Sequence, residues 1–265
     1  MTSGAPATPV DTGTDTVRAE ICDGVGVIEL NRPERRNALH ADMYDAIPML
    51  IEKFDADESV GCVLLTAAGT AFCAGGDIQG GAGQGGRDLA ADAKIMVMFQ
   101  ESPKISIAAL PGAAAGAGIA FALAPDFRIA AASAKLVTAY AALAFSGDFG
   151  MTWFLTRFVG AAKALELLVD NATIDAPTAL ELGLFNRVVP NDQLRDAAMD
   201  WARTIAAGPR MAFGLMKENV RDAQRLSLRE AIPLEAGRMG RAAQSEEHRA
   251  ARERWLEAAK AKRGG

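Results

Sequence analysis

The chain has 265 residues, half of them hydrophobic, enough to bury a sizeable core in one α/β domain or in one domain with a small appendage. Lys and Arg number 28 against 33 Asp and Glu, a formal net charge of −5. No basic field is therefore available for a phosphate backbone, and nucleic acid is excluded as an expected partner. Three cysteines (Cys22, Cys62, Cys73) and two histidines (His40, His248) match no zinc or CxxC spacing. Those counts predict a reduced, metal-free, cytoplasmic protein.

Residues 1–15, MTSGAPATPVDTGTD, contain no Lys or Arg, unlike a secretory n-region or a transit peptide, and read as a disordered tail. VRAEICDGVGVIELN (17–31) predicts two strands around an Asp23-Gly24 turn. A helix is expected from about Asp42, with Met43, Ile47, Leu50, Ile51 and Phe54 in helical spacing. GCVLLTAAG (61–69) reads as a buried strand ending in a turn. The glycine-rich GTAFCAGGDIQGGAGQGGRD (69–88) reads as loop, mobile between Gly80 and Gly86. Residues 105–124, ISIAALPGAAAGAGIAFALA, are long and apolar enough to span a membrane by length alone. Pro111, the glycines, the alanine-rich composition and the flanking Lys104 and Asp126 argue instead for a strand, a tight turn and a core helix. From Ala161 the pattern becomes helical, so an α/β core followed by a helical subdomain is expected.

LLTAAGTAFCAGGD and ISIAALPGAAAGAGIAFA share one physical form, a buried strand ending in a small-residue turn. Small residues let backbone approach a ligand closely, and N–H groups at such a turn point outward as donors. Two that converge on one oxygen make an oxyanion hole. A nucleotide turn is the competing reading, but the first βα unit lacks GxGxxG and no GxxxxGK[ST] occurs.

NRPERRNAL (31–39), AFCAGGDI (71–78), PGAAAGAGIAFALAPDFRIA (111–130), LTRFVGAAKALELL (155–168) and APTALELGLFNRVVP (176–190) together resemble the enoyl-CoA hydratase/isomerase, or crotonase, superfamily over residues 17–260. The resemblance implies an α/β fold, a crotonase-like spiral of ββα units with a C-terminal helical subdomain. It divides the chain into the tail 1–15, an acyl-CoA-binding core 16–200 and a helical oligomerisation region 201–265. A homotrimer or dimer of trimers is implied, with an acyl-CoA thioester as substrate and no separate cofactor. The resemblance puts the oxyanion donors on the N–H groups of Ala74 and Ala117, a hole worth roughly 3 kcal/mol per donor in other enzymes. Ala117 stands where the family has glycine, which is tolerable if its φ is negative. Ala71, Cys73, Gly75, Gly76, Asp77 and Ile78 belong to the CoA-ester-binding segment by the same resemblance, Asp77 bracing the loop. Arg35 or Arg36, and Lys217, resemble residues that meet the CoA phosphates; each is equally readable as a surface charge.

Family hydratases use two glutamates. Ala120 stands at the first position, and Tyr140, fourteen residues beyond Asp126, at the second. A phenol with a reference pKa of about 10 is a poor general base at neutral pH. Asp148 is the one carboxylate between Asp126 and Glu166, at the position where some family isomerases and a dehalogenase carry their catalytic Asp. It is also good turn chemistry between glycines. Double-bond migration with Asp148 as a single acid/base is the leading expectation. Weak hydration, a nucleophilic Asp148 as in a thioesterase or dehalogenase-like enzyme, and a silent acyl-CoA binder are the alternatives. Cys73 as a nucleophile lacks a histidine partner and reads as a small buried hydrophobe. Phe145, Phe149, Trp153 and Phe154 read either as an acyl pocket or as plain core.

Overall fold

In the computed structural model, which describes residues 7–77 and 88–261, the first described element is a strand inside the segment expected to be a tail. β1 (Thr8–Val10) pairs antiparallel with β2 (Val17–Cys22), and Thr12 donates its hydroxyl to the carbonyls of Thr14 and Val17. The tail assignment is therefore corrected for residues 8–10, while residues 1–6 of it lie outside the described residues. The physical reason is edge protection: without β1, one side of β2 would present unpaired N–H and C=O groups. β2 then forms the expected hairpin with β3 (Val25–Leu30). Asp23 and Gly24 both have positive φ (51° and 78°), as a two-residue hairpin matched to the strand twist requires.

α1 (Ala41–Ala56) buries Met43, Ile47, Leu50, Ile51 and Phe54, the stripe its spacing predicts. The core then repeats one unit of two strands and a following helical segment. The first comprises β4 (Cys62–Ala67), β5 (Ala71–Cys73), the short α2 (Leu89–Asp92) and α3 (Lys94–Glu101). The second comprises β6 (Ile105–Leu110), β7 (Ala113–Ala115) and α4 (Ala117–Leu123). The third comprises β8 (Phe127–Ala131), β9 (Lys135–Val137) and α5 (Met151–Val159). α6 (Ala161–Val169), β10 (Thr173–Asp175), α7 (Ala176–Glu181) and β11 (Arg187–Val189) complete the core.

Each unit sends its first strand to a seven-stranded sheet of order β1-β2-β3-β4-β6-β8-β11 and its second to a four-stranded sheet of order β10-β9-β7-β5. The strands from β3 to β11 of the large sheet run parallel. This is the α/β spiral of ββα units. The apolar run 105–124 is thus divided among β6, β7 and α4, and no helix among the described residues is long and apolar enough to cross a membrane.

α8 (Leu194–Ala206) packs Leu194, Ala198, Ala202 and Ile205 on the sheet face formed by Val25, Val27, Cys62, Leu64, Ile107 and Ile129. A boundary at 200/201 would cut this helix, so the expected division is corrected: α8 belongs to the core because the sheet needs its second face covered. The C-terminal helices are α9 (Arg210–Ala223), α10 (Leu228–Ala243) and α11 (Glu246–Ala261). Arg238 of α10 ties to Glu218, Asn219 and Asp222 of α9.

Candidate active site

The NRPERRNAL segment is a clasp around the first glycine turn. Asn37, fully buried and left-handed (φ 54°), donates both amide hydrogens, to the carbonyls of Ala68 and Ala71 at 2.8 Å each. The Leu39 N–H donates to Gly75 O at 2.8 Å. Asp77 is buried between two guanidinium groups: Arg32 reaches one carboxylate oxygen and Arg35 the other, both at 3.0 Å. A buried carboxylate held by two cations ties the loop to the NRPERRNAL segment. Arg32 was not singled out by the sequence reading, because three arginines in one short motif give no sign of which turns inward. Arg35 is half-exposed and Arg36 exposed. Ile78 lies outside the described residues.

The clasp also decides which amides remain free. The Ala74 N–H donates to Arg36 O at 3.0 Å, so Ala74 is not a free oxyanion donor, and that expectation is corrected. The Gly75 N–H faces the Cys73 sulfur. Gly76 is exposed with open space around it. Among the described residues the Gly76 N–H makes no hydrogen bond. The second turn abuts the first: a Cβ on Gly75 would lie 2.7 Å from Ala115 O and 3.4 Å from Ala117 N. Ala117 is the first residue of α4, after Gly116 at the N-cap, and it is absent from the positive-φ residues. Its N–H is one of the first-turn donors that no helix carbonyl can satisfy. The close approach depends on small residues, since a Cβ on Gly118 would lie 2.3 Å from Cys73 O.

Past β9 the chain returns across this turn. The Gly116 N–H donates to Val137 O at 3.0 Å, and a Cβ on Gly116 would sit 4.0 Å from Tyr140 Cζ. The buried Tyr140 donates its hydroxyl to Oδ1 of Asp148. Burial pushes the Asp148 carboxyl above the usual carboxylate range, and the Tyr140 bond pulls it back down. Tyr140 itself is raised far above an ordinary phenol, first by burial and then by Asp148. Ala120 is fully buried in α4 and offers no proton chemistry. Cys73 is fully buried and its thiol is pushed up to about 12 by burial, which suits a small core residue and not a thiolate nucleophile.

The aromatic residues divide between the two readings left open by sequence. Phe149 stacks on Tyr44 at 5.7 Å and meets Phe121 at 5.9 Å, so it is core. Trp153 is 43% exposed, meets the buried Phe154 edge-on and carries Arg157 over its ring at 3.6 Å. With Met96, Val97 and Phe154 it lines a cleft of about 590 Å³ that also carries Lys94, Glu101, Arg157, Arg221 and Arg225, and neither Asp148, Tyr140, Gly76 nor Ala117 lines it. Phe145 is 64% exposed and does not line this cleft.

Lys217 is neither of the things expected. Its ammonium is 8% exposed and donates to Phe99 O, Lys104 O and Asp126 at 2.6, 3.1 and 2.8 Å. Three donors meet three acceptors and none is left for a phosphate. Lys217→Met should cost about 3 kcal/mol by stranding the part-buried Asp126, with unchanged CoA-ester affinity; urea unfolding and calorimetric binding check the two halves.

Backbone N–H groups at two abutting glycine turns thus stand beside the hydrogen-bonded Tyr140–Asp148 pair. A family model described as enoyl-CoA hydratase/isomerase matches residues 20–264, and the chain belongs to that family. It is 35% identical over 234 residues to the 1,2-epoxyphenylacetyl-CoA isomerase of Escherichia coli K12, covering 85% of this chain and 89% of that protein. It is 34% identical over 247 residues to a "Probable enoyl-CoA hydratase" of Rhodobacter capsulatus, covering 91% and 95%. A Thermobifida fusca YX structure solved in complex with CoA superposes with a TM-score of 0.80 at 28% identity, covering 88% of this chain and 95% of that one.

Proposed function

We propose that the protein moves a double bond along the acyl chain of an enoyl-CoA thioester. The thioester oxygen sits on the N–H groups of Gly76 and Ala117, which stabilise the enolate that forms when an acidic C–H is removed. Asp148 takes that proton and returns it to a different carbon. The observation that carries the reading is the pairing of a hydrogen-bonded Asp148 with an alanine buried at position 120. One carboxylate suffices for a proton shuttle, whereas hydration of the two-glutamate kind needs a second group to activate water. The named activity of the E. coli relative, an isomerisation of a CoA ester, supports the same class. Arg35, half-exposed, and Arg36, exposed, suit the CoA phosphates.

The test is incubation with 2-enoyl- and 3-enoyl-CoA esters in D₂O. Interconversion of the two, with deuterium appearing at the α and γ carbons, is the expected result. Formation of 3-hydroxyacyl-CoA as the main product, or no exchange for any acyl group, would remove the reading.

A further inference from the structure

The loop that carries Asp148 has a left-handed backbone on both sides, with φ of 112° at Gly147, 50° at Phe149 and 72° at Gly150. Such a loop sets where the Asp148 backbone runs but leaves χ1 and χ2 of its side chain to be fixed by a partner. Tyr140 is that partner. It is 7% exposed, and its carbonyl accepts from the N–H groups of Leu143 and Phe145 at 3.0 Å each. Its hydroxyl meets Oδ1, while among the described residues Oδ2 has no hydrogen-bond partner.

We infer that Tyr140 is the positioning residue of Asp148: its hydroxyl holds Oδ1, so that Oδ2 is the oxygen that exchanges a proton with substrate carbon, and it offsets part of the cost of ionising the buried carboxyl. This rests on the proposed shuttle role of Asp148. A half-buried carboxylate is disfavoured in its charged form, and a donor aimed at it offsets part of that penalty. Burial pushes the Tyr140 hydroxyl so far upward that it stays protonated at any working pH. It is a donor throughout and never the base. The proton balance follows: Oδ2 takes the proton from one carbon as the C–H electron pair enters the enolate, then gives it to another carbon, and the Tyr140 proton never leaves its oxygen. Phe149, Met151 and Phe154, beyond Asp148, are apolar. From β5, Cys73 lies near Tyr140 and stays a neutral thiol up to about 12. Among the described residues no Lys, Arg or His acts on Asp148, whose titration is set by burial and, against it, by the Tyr140 bond.

Tyr140→Phe deletes only the hydroxyl. Loss of one hydrogen bond to a charged group should move the acidic limb of kcat/KM upward by about one pH unit, with a roughly tenfold lower rate along that limb. CoA-ester affinity should stay within about twofold, since the ring that faces Gly116 is kept and the hydroxyl removed is the one bonded to Asp148. 3-Fluorotyrosine at position 140 is a more acidic phenol and a stronger donor, so it should move the same limb downward. Carboxyl ¹³C NMR of aspartate-labelled protein, with the Asp148 signal assigned by its loss in Asp148→Asn, should show both shifts without turnover. The carboxyl titration therefore decides the point even if no enoyl-CoA ester is processed, in which case only the shuttle reading fails. An Asp148 titration and a pH limb unmoved by either change, or a rate loss uniform across pH, would reduce Tyr140 to a packing residue and overturn the inference. Should Tyr140→Phe fail to fold, the fluorotyrosine protein carries the test, and no downward shift in it would be equally fatal.

Discussion

Asp148→Asn should lower kcat for double-bond migration by about 10²- to 10⁴-fold, the range expected for removing a general acid/base. Affinity for the CoA ester should be nearly unchanged, because Asn keeps the shape of the side chain and an oxygen for the Tyr140 hydroxyl. Stability should not fall with activity. The carboxyl of Asp148 is raised above its ordinary value, so the fold favours its protonated form, and above the raised value the ionised group works against folding. A neutral amide removes that opposition. At neutral pH the variant should melt at the same temperature as the parent or above it, and below the Asp148 pKa the two should converge. Single-turnover kinetics with deuterium exchange measures the first effect and thermal unfolding across pH the second. A fully active Asp148→Asn protein would eliminate Asp148 as the shuttle. A variant that is inactive and also strongly destabilised would point to a structural turn residue.

Gly75→Ala should damage both stability and rate. Gly75 has a φ of 85°, where an L-residue costs about 1–2 kcal/mol. Its new Cβ would lie 2.7 Å from Ala115 O, and backbone cannot swing aside as a side-chain tip can. Overpacking of this kind adds a further 1–3 kcal/mol or so. Relief requires the two glycine turns to part, which moves the Gly76 and Ala117 donors away from each other. Losing one correctly placed donor lowers kcat by roughly 10²–10³, so a fall near that range is expected together with a lower denaturation midpoint. Gly76→Ala is the control. Gly76 has open space around its Cβ position and no positive φ, and alanine keeps the N–H, so activity should stay close to the parent. Equal damage from both substitutions would mean that the loss in Gly75→Ala does not come from parting of the two turns.

Much of the architecture was legible because it depends on local periodicity and on turn chemistry. The apolar stripe of α1, the Asp23-Gly24 hairpin and the division of residues 105–124 into strand, turn and helix all follow from spacing, glycine and proline. Two exceptions share one cause. The strand at Thr8–Val10 and the membership of α8 in the core are set by long-range needs, an unpaired edge of β2 and an uncovered sheet face. Neither leaves a mark in a short window of sequence.

For the site, the sequence by itself determined which groups are present. Two glycine turns carry backbone donors, alanine and tyrosine occupy positions 120 and 140, and Asp148 is the single carboxylate of its region. Only the tertiary structure decided which of those groups are free. The Ala74 amide is taken by Arg36 O and the Lys217 ammonium by three internal acceptors, so a donor each was expected to offer is already used. Tyr140, discounted as a base, turns its hydroxyl to Asp148 across eight residues of chain. Hydrogen-bonding capacity is finite and is shared among groups far apart in sequence, so residue type shows what a side chain or amide can do, and its neighbours in the fold settle what it has left to do it with.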